Sequence, residues 1–230
     1  MVGVPPRSAT HRPADAGGAG GASPPTSSPF GFLCGCEPVL GALVKSHGPL
    51  DQEERRRGRP DDAYGALLRA IVGQQLSVKA ARTIYDRLCA LYGNRTPTPR
   101  ELLDTDPEQL RTVGLSRAKA SYLRDLAQHV EDGELDLDAL PHLTDEEVTA
   151  MLTAVKGLGQ WTADMFLMFH LRRPDVLPVG DLGIRRAAQL AYGLYELPTP
   201  AELTELAESW RPHRTLACLY LWASLDNAPA

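Results

Sequence analysis

Long apolar runs are missing from this 230-residue chain. No stretch approaches the roughly 20 residues that a membrane-spanning helix needs, and the N-terminus has no apolar core of a secretory signal. Cysteine is scarce. Of the four, Cys34 and Cys36 lie close together, while Cys89 and Cys218 sit in helical patterns. No C-x-x-C pair and no histidine-rich spacing occurs, which argues against a zinc site. These absences read as a cytoplasmic protein of a reducing compartment with no membrane partner. An excess of basic charge is missing too. The formal net charge is −5, which taken alone argues against nucleic acid. Local fields matter more than the sum, however. The acids fall largely outside the stretch singled out below, and Lys79, Arg82, Arg117, Lys119, Lys156, Arg172, Arg173, Arg185 and Arg186 flank the motifs. For any one of these cations a solvated helix face is the simpler account. Runs of period-2 alternation are also missing, so the chain reads as all-α, with roughly ten to twelve short helices marked by capping signals.

Residues 1–29 are rich in Gly, Ala, Ser and Pro, with GGAGGASPP at the centre. Such a stretch cannot bury enough apolar surface to order itself and reads as a disordered tail or a mis-called start. One helical domain, residues 30–230, follows and is long enough to bury a core without staples. Glu37–His47 carries the first helical pattern, and LDQEERRRGRP reads as a charged loop. Asp61 or Asp62 caps the next helix, with Tyr64, Leu67, Leu68, Ile71 and Val72 on its buried face. Gly73-Gln74-Gln75 breaks that pattern. Ser77 caps a helix to about Tyr92, apolar at Val78, Ala81, Ile84, Leu88 and Leu91. Ser116 opens a long helix to about Glu131, and Thr144–Glu147 forms a capping box. The helix after Asp181 runs to about Tyr195. Pro200–Trp210 and His213–Leu225 are the last two.

The stretch LTAVKGLGQWTADMFLMFHLRRPDVLPVGDLGIRR, Leu152 to Arg186, organises the rest. It reads as a helix, a tight hairpin and a second helix over about 144–171, then an acid at a third helix's start. Glycine tolerates φ > 0 and lets a phosphate approach the backbone, and the second helix points unpaired N–H groups over the hairpin. Such a cradle holds one nucleic-acid phosphate without reading sequence. A plain αα-hairpin turn with glycine caps fits the same spacing.

LxxVKGLGQWTA followed by VLPVGDLGIRR resembles the helix-hairpin-helix DNA glycosylases, most nearly the 3-methyladenine DNA glycosylase II branch of alkylation repair. IVGQQLSVKAA at 71–81 and GLSRAKASYLRDLA at 114–127 match that branch in order and spacing, over roughly residues 37–227. Several ordered motifs are far more specific than one G-x-G. The resemblance implies two helical lobes with the active-site cleft between them, in the compact form without an N-terminal β-domain. It implies a monomer acting on double-stranded DNA that contains alkylated bases, at the nucleoid of a bacterium or in the nucleus of a eukaryote. The iron–sulfur cluster of some relatives needs four cysteines near the C-terminus. Only Cys218 lies there, so no cluster is expected.

Base excision breaks the bond from C1′ to a base nitrogen and leaves positive charge on the sugar. A fixed carboxylate stabilises that charge and can orient or deprotonate water. Asp181 aligns with the family's catalytic aspartate, and an ordinary N-cap is compatible with that role. Bifunctional relatives carry a nucleophilic lysine where this chain has Trp161. The resemblance therefore implies a monofunctional enzyme that leaves an abasic site. Trp161 and Trp222 fall at pocket aromatics, where an indole face attracts a cationic N-alkylpurine such as 3-methyladenine or 7-methylguanine, worth ~1–2 kcal/mol when desolvated. Met165 stands where a relative has tyrosine, which implies a more open or softer pocket. Core packing is the competing account of all three. A flipped base leaves a gap. Gln75 falls at the wedge position, and Gln74 supports the turn or the sugar-phosphate. Helix-end capping is the competing account of both amides. The resemblance implies a phosphate-binding hairpin of Gly157, Leu158, Gly159 and Thr162, with Thr162 either capping the second helix or simply packing within it. A sodium or potassium ion at the hairpin's carbonyls is implied as well. The other readings are a non-catalytic DNA-gripping module and a glycosylase of different base specificity.

Overall fold

The computed structural model describes residues 28–50 and 59–226. Among them the chain forms twelve α-helices and two 3-10 turns, without a strand. The first two helices are α1 (Pro29–Cys36) and α2 (Pro38–His47). The expected tail lies outside the described residues up to position 27. Its boundary at 29 is corrected, because Ser28 Oγ accepts from Gly31 N at 3.0 Å and caps a helix that starts at Pro29. The helical pattern expected to come first, at Glu37–His47, is therefore the second helix, with Glu37 as its cap. Most of the charged loop, 51–58, also lies outside the described residues.

The next helices are α3 (Ala63–Gly73), α4 (Val78–Ala90), α5 (Pro99–Asp104), α6 (Pro107–Thr112) and α7 (Arg117–Glu131). Asp62 caps α3 through Gly65 N at 2.6 Å, and the five residues expected on its inner face are all buried. Its Gly/Ala-interspersed apolar stripe packs on α4 and α7. The apolar face expected for α4 is only partly right. Ala81 and Leu88 are buried, but Val78 is 80% exposed at the helix start. Then come α8 (Asp145–Ala154), α9 (Gln160–Phe169), α10 (Leu182–Tyr192), α11 (Pro200–Leu206) and α12 (Arg214–Asp226). The capping box at Thr144–Glu147 forms as expected. The expected helix to Tyr195 stops earlier, because Gly193 takes a left-handed cap at φ 64°. The last turn of the expected Pro200–Trp210 helix tightens into a 3-10 segment.

Two groups of helices share one contiguous apolar core. In one, α3 packs on α4, α7 and α9, α7 on α5 and α6, and α8 on α9. In the other, α12 packs on α2 and α10, and α1 on α2. Asp181 stands at the head of α10, and so belongs to the second group, facing α9 of the first.

Two of the flanking cations are held by partners inside the protein. Arg173 donates to the carbonyls of Pro141 and Leu143 at 3.0 and 2.7 Å and pairs with Asp145 at 3.3 Å. Arg185 Nε donates to Pro198 O at 2.7 Å. These side chains end helices and tie loops, a use of guanidinium that spacing along the chain does not reveal.

Candidate active site

Asp181 is the N-cap of α10, its Oδ1 accepting from Ile184 N at 2.8 Å. Two indoles also aim their N–H groups at it. Trp161 Nε1, from the first turn of α9, donates to Oδ2 at 2.7 Å. Trp222 Nε1, from α12, donates to Oδ1 at 3.1 Å. Oδ1 thus has both lone-pair positions taken, and Oδ2 keeps one over. The capping role and the two indole contacts coexist in one side chain. The expected pocket aromatics do meet at Asp181, by their N–H edges. The face of Trp222 stacks on Phe169 at 6.1 Å between centroids and 23° between planes. Arg59 lies over the Phe169 ring at 4.2 Å. Trp161 remains 47% exposed, and half-buried Met165 follows it one turn later on α9.

Gly183 makes this convergence possible. A Cβ there would lie 3.0 Å from Asp181 Oδ1 and 3.1 Å from Trp222 Nε1. Sequence reasoning missed it. The available signal was a glycine inside a helix's first turn, which costs about 1 kcal/mol relative to alanine and calls for a packing reason.

The hairpin between α8 and α9 has two glycines with different tasks. Gly157 takes φ 87°, and a Cβ on it would sit 2.3 Å from the Tyr122 ring of α7. Gly159 is the N-cap of α9 in an extended conformation, and a Cβ there would meet nothing within 4 Å. No side chain accepts from the first-turn N–H groups of α9. By contrast α1 to α8, α10 and α11 each carry a side-chain cap. Two expected hairpin residues are corrected. Leu158 turns its side chain into the core, at 4% exposure, and its N–H closes the turn on Val155 O at 3.1 Å. Thr162 does not cap α9; it is buried two residues inside the helix, because Gly159 already begins it. Lys156 N donates to Asp125 Oδ2 at 2.7 Å, so that amide is also occupied.

The α3–α4 turn lies beside the hairpin. Gln74 Nε2 donates to Gly157 O at 2.7 Å, which makes it a support of the turn. Gln75 is exposed, with φ 58°, and Leu76 next to it is 39% exposed.

A separate cleft of about 470 Å³ is lined by Asp145, Gln160, Asp164, Asp175 and Arg214 among others, and Asp181 is not in its wall. Three of its four acids have partners: Arg173 for Asp145, Gln160 for Asp164, and Arg211 and Arg214 for Asp175; the fourth is Glu146. Among the described residues no group of three or more His, Cys, Asp or Glu could hold a metal ion, and no helix is long and apolar enough to cross a membrane.

The chain matches the family described as HhH-GPD superfamily base excision DNA repair protein over residues 68–212. It is 37% identical over 182 residues to DNA-3-methyladenine glycosylase 1 of Schizosaccharomyces pombe, covering 78% of each protein. A Bacillus subtilis relative is 31% identical over 169 residues, and the chain spans 59% of that protein's length. Among solved structures, the S. pombe 3-methyladenine DNA glycosylase in complex with abasic DNA superposes with a TM-score of 0.77 at 33% identity, covering 87% of this chain and 97% of that one. A DNA-3-methyladenine glycosidase from Bacillus halodurans does so with 0.77 at 37% identity, covering 88% and 91%.

Proposed function

This chain belongs to the HhH-GPD superfamily of base excision DNA repair proteins, and from that premise we propose that it is a monofunctional DNA glycosylase for N-alkylated purines of the 3-methyladenine and 7-methylguanine type. One observation carries the proposal: Asp181 is held by Ile184 N, Trp161 Nε1 and Trp222 Nε1 with one Oδ2 lone pair left over. The C1′–N bond breaks, the base leaves with the bonding pair, and the sugar becomes a cation. The Asp181 anion stabilises that cation from close range, in a geometry set before the reaction. Water adds to C1′, and its proton goes to Oδ2 or on to solvent. Trp161 stands where a lyase would need an amine, and an indole nitrogen cannot form a Schiff base. A cationic purine is already a good leaving group, and the exposed Trp161 offers it an electron-rich surface. The names of the S. pombe and B. halodurans relatives support the same substrate class.

The uncapped start of α9 would hold a phosphate through the N–H groups of Gly159 and Trp161, and Gln75 would enter the stack. A sodium or potassium ion would use an all-oxygen set of hairpin carbonyls. That chemistry suits a hard cation, although Gly157 O is already taken by Gln74. The proposed reaction needs neither zinc nor an iron–sulfur cluster, and the protein acts on DNA as a monomer, in the bacterial cytoplasm or a eukaryotic nucleus.

Release of bases from methylated genomic DNA, separated by chromatography, tests this. The wild type should free 3-methyladenine and 7-methylguanine. Asp181→Asn should lower the rate by about 10²–10³-fold or more, the scale of a lost electrostatic stabiliser, while binding DNA normally. Binding by both proteins with release by neither would leave only a DNA-gripping module. A strand nick trapped by borohydride would remove the monofunctional assignment.

A further inference from the structure

The turn that carries Gln75 is held from two sides. Gln74 Nε2 ties it to the hairpin through Gly157 O, across 83 residues of sequence. On the other side Lys119, from the first turn of α7, donates from Nζ to Val72 O at 2.8 Å and to Gln74 O at 2.7 Å. Both carbonyls belong to the end of α3, where helical partners run out. A cation there also meets the negative end of the helix dipole. Within the turn, Gln74 N reaches back to Ile71 O at 3.3 Å and Leu76 N to Gly73 O at 3.1 Å.

Between these ties sits Gln75 at φ 58°. A non-glycine residue held in the left-handed region persists where its surroundings over-determine it, and such residues cluster at functional sites. Its neighbours Leu76 and Val78 are unusually exposed for apolar residues, at 39% and 80%. The tip is therefore rigid, strained and projecting. Desolvation lowers the Lys119 ammonium's pKa below the ordinary lysine value. A glycine could end the helix instead, as Gly193 ends α10.

We infer that Lys119 is a positioning residue for base flipping: its ammonium grips Val72 O and Gln74 O, and so holds Gln75 in the conformation from which it enters the base stack. Gln74 registers that tip against the phosphate-holding hairpin, so that wedge and backbone grip act at one fixed separation. The inference rests on the DNA glycosylase reading only in taking Gln75 as the residue that enters DNA.

The test uses the full chain and a duplex with 2-aminopurine beside a tetrahydrofuran abasic site. Its fluorescence rises when the base is unstacked. At saturating protein the wild type should raise it. Lys119→Met should give less than about half that rise while DNA affinity changes by no more than about threefold, because phosphate grip and stack entry use different groups. Lys119→Arg, which keeps charge and donors, should restore most of the rise. A strut that served only stability would lower the melting temperature in Lys119→Met and leave the saturated fluorescence at the wild-type value, and that result overturns the inference. If Lys119→Met does not fold, Lys119→Gln, polar but uncharged and shorter, takes its place: the same selective loss is expected, and a full wild-type rise overturns the inference. A wild type that produces no rise overturns it outright. Base release measured alongside separates the two readings. A protein that unstacks the base yet frees none keeps the clamp and loses the chemistry.

Discussion

Asp181 accepts from three N–H groups that reach it from three places in the chain, and that convergence is the most sensitive feature of the site. The added methyl of Gly183→Ala would press on Asp181 Oδ1 and Trp222 Nε1 at 3.0 and 3.1 Å. The carboxylate or the indole must then shift by a few tenths of an ångström. Misplacement of a catalytic group by about 1 Å costs up to roughly 10²-fold, so a fall in kcat of about tenfold is expected here, with DNA affinity nearly unchanged. Trp222→Phe should behave alike, keeping the stack on Phe169 and losing the donor. Single-turnover base release with a parallel binding titration separates the two parameters. An equal loss in both would assign Gly183 to folding alone.

At the scale of elements, the two hairpin glycines separate a phosphate cradle from a plain turn. Gly157→Ala meets both a left-handed φ and the Tyr122 ring. It should destabilise the protein by about 1–3 kcal/mol, the cost of strain and overpacking, visible as a lower melting temperature. Gly159→Ala meets open space, so the melting temperature should hold. If a phosphate sits over α9, its methyl should weaken DNA binding by roughly tenfold, the equivalent of one charge-assisted hydrogen bond. Unchanged affinity would leave the hairpin as a turn and nothing more. Within α9 itself, Asp164 is 5% exposed, and desolvation raises its pKa above the usual carboxylate value of 3.8, against the lowering effect of the Gln160 amide. A raised folded-state pKa means this group's stabilising contribution is present below 3.8 and is lost as pH rises through the folded value. At neutral pH the buried anion is a net cost. Asp164→Asn keeps an acceptor for Gln160 and removes that cost. Its melting temperature at neutral pH should rise by about 2–4 °C, the shift that roughly 1 kcal/mol produces in a chain of this size. The gain should shrink toward pH 4, and a neutral or lower value at pH 7 would show that Asp164 is needed as a charge.

For the whole molecule, a net charge of −5 has to be reconciled with a polyanionic partner. Lys79, Arg117 and Lys156 are exposed around the α3–α4 turn and the hairpin. Arg173, by contrast, is spent on Asp145 and two carbonyls. Removal of each phosphate-contacting cation should lower the slope of log affinity against log salt by roughly 0.9. Lys156→Ala should therefore flatten the salt dependence. Arg173→Ala should lower the melting temperature and leave the slope as it was. The reverse pattern would mean that the DNA path runs over α8 and away from the α3–α4 turn.

Much of this architecture was legible along the chain, because its signals are local. Ser77, Ser116, Thr144 and Asp181 cap the helices that their sequence positions announce, since a cap acts on N–H groups two or three residues away. The hairpin, the acid after it, and a tryptophan where a lyase would carry lysine are likewise written within some thirty consecutive residues. Other features were decided only by packing. Trp161 and Trp222 turn their N–H edges onto Asp181 across 20 and 41 residues. Lys119 grips the end of α3 from 45 and 47 residues away. Gly183 and Tyr122 matter only through what lies against them. The sequence alone determined the all-helical class, most of the helix starts and the candidate site residues, for caps and motifs follow from neighbours along the backbone. The tertiary structure decided how they face one another, because a side chain's direction toward a distant partner is set when two helices pack and by nothing nearer in the chain.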